Sequence, residues 1–270
     1  MRITTALRAA TVVLTAGAAA GVTAGAAPAA ASGASAAPRC PLVFGHGGYP
    51  EGANGWAKDQ IRQPNNPRAL NAHKSWGADG VEADVQLTKE GTKAVMWHNT
   101  TTNGLTGKQQ KITGIWWAYG AGNLSGRRIV RGPYKGERVY SLRQWLDHVR
   151  PLGLIALLEI KPETKAVLSN PKYAAQGWRE ISAPIRERQG KQRIMVYSTD
   201  PWIQSELAKR HPALLKGSAA RWTDGVRWNE PVPSWKGNVP QWQAVLNQSP
   251  GSVMTNYPRE YRAWLRGKCR

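Results

Sequence analysis

The sequence predicts an α/β chain folded as a single-domain (β/α)8 TIM-type barrel, and three observations carry that prediction. Strand-like and helix-like segments alternate across residues 42–265, the pattern of a parallel sheet covered by helices. Histidines and carboxylates stand in or at the ends of the first four strand-like segments, and a closed barrel gathers such groups on its C-terminal rim. The alternation lacks a Gly-rich nucleotide-binding fingerprint, which argues against the alternative, an open doubly wound sheet.

Taken in order, Pro41-Leu-Val-Phe-Gly45 is a short apolar strand that runs into His46, and Gly47 to Pro67 is a Gly/Pro/Asn-rich loop. Arg68 to Trp76 reads as a helix stopped by Gly77. Gly80 to Leu87 is the second strand, Lys89-Glu-Gly91 a turn, and Lys93-Ala-Val-Met-Trp97 a third strand ending at His98. Asn99 to Glu137 is polar and Gly-rich around one apolar spot, Ile115-Trp-Trp117; connections of that length are usually functional or act as lids. Ser141 caps an amphipathic helix that runs to Val149. Gly153–Ile160 is the fourth strand, Tyr173–Arg188 a helix, Arg193–Tyr197 the fifth strand and Trp202–Arg210 a helix. Ala213-Leu-Leu-Lys216 reads as the sixth strand, a seventh falls somewhere between Thr223 and Leu246, and Gly251–Thr255 is the last, followed by a helix over Arg259–Leu265.

Two of these strands carry charge at every second position. In Gly80-Val-Glu-Ala-Asp-Val85, Glu82 and Asp84 share one face, and in Leu157-Leu-Glu-Ile-Lys161, Glu159 and Lys161 share one. Inward carboxylates on buried strands are costly unless a cation compensates them. A bound metal would do so; an internal ion pair between Glu159 and Lys161 is the other reading. Hard oxygen donors suit Mg2+ or Ca2+ better than zinc, because there is no thiolate cluster. His46 and His98 each end a strand and begin a loop, so both are expected at the rim as a proton-transfer pair for phosphodiester cleavage, with the metal and Lys161 stabilising charge on phosphoryl oxygens. His73, His148 and His211 lie on helices or at a helix end and are expected at the surface.

The N-terminus has the layout of a secretory signal peptide over residues 1–31: Arg2 and Arg8, an apolar stretch, then Ala29, Ala30 and Ala31, with Ala34-Ser-Ala36 as the second cleavage choice. Residues 32–41 form a short lead-in to the domain at 42–265. A secreted, extracellular protein is therefore expected, and Cys40 and Cys269 are expected to form a disulfide. The formal charge of +20 falls to +18 without Arg2 and Arg8. Such a field favours anionic partners such as phosphate esters, and transient contact with an anionic membrane surface. The basic residues are scattered and no nucleic-acid-binding motif is present, so no nucleic-acid partner is expected. The substrate expected is a small-molecule or lipid phosphodiester, and the protein a monomer. Thirteen tryptophans stand against one phenylalanine; Trp97, Trp116, Trp117, Tyr197 and Trp222 are the aromatic candidates for a substrate pocket.

Six blocks then carry a resemblance. Phe44-Gly-His-Gly-Gly48, Gly77-Ala-Asp-Gly-Val-Glu-Ala-Asp-Val-Gln-Leu-Thr-Lys-Glu-Gly91, Val95-Met-Trp-His-Asn99, Thr101-Thr-Asn-Gly104, Leu158-Glu-Ile-Lys161 and Val253-Met-Thr-Asn-Tyr-Pro258 resemble, in order, the signature blocks of glycerophosphodiester phosphodiesterases. The resemblance implies a TIM barrel that uses a divalent cation to hydrolyse glycerophosphodiesters to an alcohol and glycerol 3-phosphate. It implies His46 and His98 as the acid/base pair, Glu82, Asp84 and Glu159 as metal ligands, and Lys161 as a phosphate contact. The chain departs from the family pattern in three places. Gly47 replaces an arginine, Asn99 replaces an aspartate, and Asn65-Asn66 aligns with a Pro-Glu-Asn-Thr block in which Pro64 stands where the glutamate belongs, after an insertion over Glu51–Gln63. Related barrels without that arginine include the sphingomyelinase D and lysophospholipase D branch, whose substrates carry a lipid tail. A lipid substrate, or a barrel that binds anionic material without turnover, are the alternatives.

Overall fold

The structure is a computed structural model that describes residues 39–46, 65–215, 220–222 and 239–270. Gly47, the Glu51–Gln63 insertion, the signal-peptide stretch and residues 223–238 of the Thr223–Leu246 interval expected to hold a seventh strand lie outside the described residues; the rest of that interval, Val239–Leu246, is helical.

Seven strands are described: β1 Leu42–His46, β2 Gly80–Leu87, β3 Ala94–Met96, β4 Ile155–Ile160, β5 Ile194–Tyr197, β6 Ala220–Trp222 and β7 Ser252–Thr255. Six run parallel in the order β5-β4-β2-β1-β7-β6. The helices are α1 Arg68–Ser75, α2 Leu142–Val149, α3 Lys165–Leu168, α4 Ala174–Arg186, α5 Pro201–Arg210, α6 Pro212–Leu215, α7 Val239–Leu246 and α8 Pro258–Leu265. Ser141 begins α2 with a capping box: its hydroxyl accepts from the Gln144 amide while the Gln144 side chain accepts from the Ser141 amide. Among the described residues no helix is long and apolar enough to cross a membrane.

The central parallel strands β2 and β4 are buried on both faces, and the two faces differ. Val81, Ala83, Val85 and Leu87 of β2, Ala156, Leu158 and Ile160 of β4, and Ile194 and Val196 of β5 pack with Trp145 of α2, Trp178 of α4 and Leu207 of α5. The opposite face begins apolar, as Phe44, Ile155, Leu157 and Met195 form a small floor. Further along each strand the same face turns polar: His46, Glu82, Asp84 and Glu159, all buried. Gly80 makes the floor fit, because a Cβ there would lie 2.5 Å from the Phe44 ring and 2.6 Å from the Ile155 carbonyl oxygen.

Two strand expectations are corrected. β3 is not a stave of the parallel sheet but pairs antiparallel with β2, Val85 opposite Met96 and Leu87 opposite Ala94. The intervening turn is too short for a parallel crossover, which needs about a dozen residues or more. The sixth strand expected over Ala213–Lys216 is not found in its described part: Pro212–Leu215 is helical and β6 begins at Ala220. Pro212 sits at a first helical position, where its fixed φ favours the turn, and so short an apolar run has no period to distinguish strand from helix.

The long connection after β3 is folded around its own core of Trp97, Leu105, Ile112, Ile115, Leu124, Ile129, Tyr134 and Val139. Trp97 is fully buried there, its indole N–H donating to the Thr101 carbonyl at 2.8 Å. That corrects its expected place in a substrate pocket: the long connection folds over the indole and takes it into its own core. Two of the three histidines expected at the surface are also buried, His73 and His211. His73 packs so closely on β1 that a Cβ at Gly45 would fall 1.8 Å from its Nδ1. His211 Nε2 lies 2.9 Å from Ser182 Oγ, and burial first, then Arg186 and Arg210, hold its imidazole below the usual histidine value.

Cys40 and Cys269 are joined in a disulfide with Cα atoms 4.9 Å apart across 229 residues of sequence. The Cys40 amide also donates to the Arg270 carbonyl at 2.8 Å. Replacing both cysteines by serine should lower stability by up to about 5 kcal/mol through the freed loop, measured as the loss in urea-unfolding free energy; an unchanged midpoint would refute a structural role. A histidine kept neutral by the fold contributes stability that is complete above its unfolded pKa and lost as pH falls toward its lower folded value. Wild-type melting temperature should therefore drop more steeply below about pH 6.5 than that of His211→Gln.

Candidate active site

The polar ends of β1, β2, β4 and β5 converge through strand register. Asp84 is the lateral neighbour of Glu159, Glu159 of Tyr197, and His46 of Glu82. Side chains at matched positions on parallel strands point to the same face, so the register places the three carboxylates together. One oxygen from each of Glu82, Asp84 and Glu159 lies within 4.8 Å of the others. Lys161 Nζ stands 3.2 Å from Glu159 Oε2 and 3.3 Å from Asp84 Oδ1. Both sequence readings are thus present at once: an internal ion pair, and a cluster whose three negative charges exceed the one ammonium.

The electrostatics follow from that imbalance. Burial lifts the Glu159 carboxyl above the usual range, the adjacent Asp84 adds to the lift, and Lys161 and a hydrogen bond from Thr199 (3.2 Å) offset part of it. Burial works against the Lys161 ammonium, yet Asp84, Glu159 and Glu82 together hold its pKa above the ordinary lysine value. Tyr197 is raised well above a normal phenol, by burial first and then by Glu82, Glu159 and Asp84. Its hydroxyl donates to Glu82 Oε1 at 3.5 Å. All three carboxylates offer hard oxygens in a small buried space, a donor set that fits a divalent cation such as Mg2+ or Ca2+.

His46 comes to this cluster from β1, its Nε2 3.6 Å from Glu82 Oε2 and its Nδ1 2.8 Å from Asn256 Oδ1. His98 reaches the rim by a different route. The β2–β3 hairpin reverses the chain, so that Trp97 donates its amide to the Asp84 carbonyl at 3.0 Å and His98 returns beside the carboxylate-bearing strand. His98, Asn99, Thr100, Thr101, Asn103, Lys161 and Glu163 line one cleft. Of the aromatic candidates, Tyr197 is in the site. Trp116 and Trp117 are not among the residues lining the cleft: Lys89 Nζ lies 4.7 Å from the centre of the Trp116 ring, and Trp117 packs on the core of the long connection. Trp222 belongs to β6, and its side chain is outside the description.

The chain matches the glycerophosphoryl diester phosphodiesterase family over residues 64–249. It belongs to that family. Among solved structures, a glycerophosphodiester phosphodiesterase from Parabacteroides distasonis is similar at 17% identity and a TM-score of 0.58, covering 84% of this chain and 98% of that one. One from Agrobacterium tumefaciens is similar at 12% identity and 0.56, covering 83% of this chain and 100% of that one. An Oleispira antarctica phosphodiesterase, solved in complex with its product sn-glycerol-3-phosphate, is similar at 16% identity and 0.53, covering 84% of this chain and 97% of that one. At these identities the likeness is one of fold. No match was found among curated proteins.

Four residues of this phosphodiesterase-family site were given no role from sequence, though Asn65 was aligned with a family block. Asn65, held at φ 55°, donates to Asp84 Oδ2 at 3.1 Å and to the Asp84 carbonyl at 3.3 Å. Thr199 and Asn256 make the contacts given above. Gln86 is fully buried, and its amide nitrogen sits 3.0, 3.0 and 2.7 Å from the carbonyls of Trp97, His98 and Asn99. The alternation of β2 contained the signal for Gln86, two residues beyond Asp84 on the same face. Gln86→Leu removes the donor at nearly constant volume and leaves buried carbonyls unsatisfied, so it should cost about 1–3 kcal/mol of unfolding free energy. A thermal-unfolding change near zero would show that the clamp is not structural.

Proposed function

We propose that this protein is a secreted phosphodiesterase that hydrolyses glycerophosphodiesters to an alcohol and glycerol 3-phosphate, dependent on a divalent metal. The observation that carries this reading is the buried cluster of Glu82, Asp84 and Glu159 beside Lys161 and His46, with His98 on the cleft that Lys161 also lines. Glu82, Asp84 and Glu159 would hold Mg2+ or Ca2+, which when bound supplies Lewis-acid stabilisation of phosphoryl charge. Lys161 binds a phosphoryl oxygen from the cleft and keeps its charge through the surrounding carboxylates. One of His46 and His98 takes a proton from the attacking water, and the other gives one to the leaving oxygen. In this reading the parallel sheet closes as a (β/α)8 barrel, residues 1–31 are a signal peptide removed on export, and the domain spans 42–265 as a monomer.

A lipid substrate is the second reading, and one surface favours it. The long connection after β3 carries the exposed Tyr119 beside Trp116, and Lys108, Lys111, Arg128, Arg131 and Lys135 of the same connection are exposed. That surface suits transient contact with anionic lipid.

Choline release from glycerophosphocholine should vanish in EDTA and return with Mg2+ or Ca2+; full turnover after chelation and dialysis would refute metal dependence. Glu82→Gln and Asp84→Asn should be inactive yet folded. His46→Ala and His98→Ala should each lose about 10²- to 10⁴-fold in kcat, and the double variant should be little worse than the weaker single one. Faster choline release from lysophosphatidylcholine than from glycerophosphocholine would select the lipid reading.

A further inference from the structure

The two rim histidines present the same nitrogen to the same chemical group. His46 Nδ1 lies 2.8 Å from Asn256 Oδ1, and His98 Nδ1 lies 2.8 Å from Asn99 Oδ1. A carboxamide oxygen only accepts hydrogen bonds, so each contact requires a proton on Nδ1. The bond made at one ring nitrogen decides what the other can do and in which direction it points.

The two amides arrive from unrelated places, and each is itself held. Asn256 is the first residue past β7, whose register with β1 pairs Thr255 with Gly45, so it comes next to His46 at the end of β1. Asn99 follows His98 directly, in a loop whose carbonyls at Trp97, His98 and Asn99 converge on Gln86. A neutral amide orients an imidazole without adding a charge to a rim that already carries three carboxylates.

We propose that Asn256 and Asn99 are positioning residues that lock His46 and His98 in the Nδ1–H tautomer, so that Nε2 of each ring is the atom turned to the reaction. The tautomer assignment stands on geometry alone. Its meaning for turnover rests on the two-histidine phosphodiesterase reading, and the test separates them.

Long-range proton–nitrogen NMR of the full protein labelled with 15N-histidine reads each ring directly, with His46→Gln and His98→Gln assigning the signals. In the neutral form of each ring, Nδ1 should show a pyrrole-type shift and Nε2 a pyridine-type shift. A pyridine-type Nδ1 in either ring would overturn the proposal, because the amide would then be donating to the ring. Asn256→Ala and Asn99→Ala should shift their partner ring toward the Nε2–H form that free imidazole favours. They should lower kcat by about 10- to 100-fold with KM little changed. Asn256→Asp and Asn99→Asp keep an acceptor and should restore the Nδ1–H signature. Alanine variants that retain both tautomer and kcat would also sink it. If an alanine variant fails to fold, the wild-type spectrum still decides. Locked Nδ1–H tautomers in a protein that cleaves no phosphodiester would support the positioning role and reject the catalytic reading instead.

Discussion

Three carboxylates on two adjacent, fully buried strands are the constraint around which the rest of the site is arranged. Asp84 and Glu159 are lateral neighbours, and Glu82 stands on the same face of β2. Removing such groups from water costs several kcal/mol per ion after relaxation. The surroundings therefore supply donors: the Lys161 ammonium, the Tyr197 and Thr199 hydroxyls and the Asn65 amide. One ammonium does not balance three carboxylates. A divalent cation bound there would bring the local sum to zero, and the net positive charge of the chain would favour an anionic ester.

The sheet makes the cluster affordable by dividing its inner face. Phe44, Ile155, Leu157 and Met195 close the lower part with apolar side chains, and the polar groups are confined to the strand ends above. Hydrophobic packing on the outer face, where the residues between the charges meet the helices, fixes the pleat. A slip of one residue in β2 would turn Glu82 and Asp84 into the helix layer and Val81 and Val85 into the site. Packing on one face thus determines the chemistry on the other, and Gly80 and Gly45 are the positions where backbone must yield to Phe44 and His73.

Much of this was legible in the chain. Period-two alternation placed Glu82, Asp84, Glu159 and Lys161 on common faces, and the register brought them together as expected. His46 ended its strand at the carboxylates. Trp97 and Gln86 show the limit of the same rule: the pleat assigned both to faces, but neither the core folded by the long connection nor the loop carbonyls over Gln86 could be foreseen. His73 and His211 were misplaced because the helices carrying them also bear polar residues at helical spacing, and only the neighbouring strand and Ser182 show which face is covered.

By itself the sequence determined the alternation of strands and helices and the residue types of the site, because local periodicity and side-chain chemistry are properties of short segments; the cysteine pairing was legible because the chain holds two cysteines and so one possible pair. Tertiary structure decided the rest. It made β3 an antiparallel return that carries His98 back beside β2, and it set a carboxamide oxygen from Asn256 against His46 across 210 residues. Those contacts join segments distant in sequence or reversed in direction, and no local pattern specifies which strand edge or loop a side chain will meet.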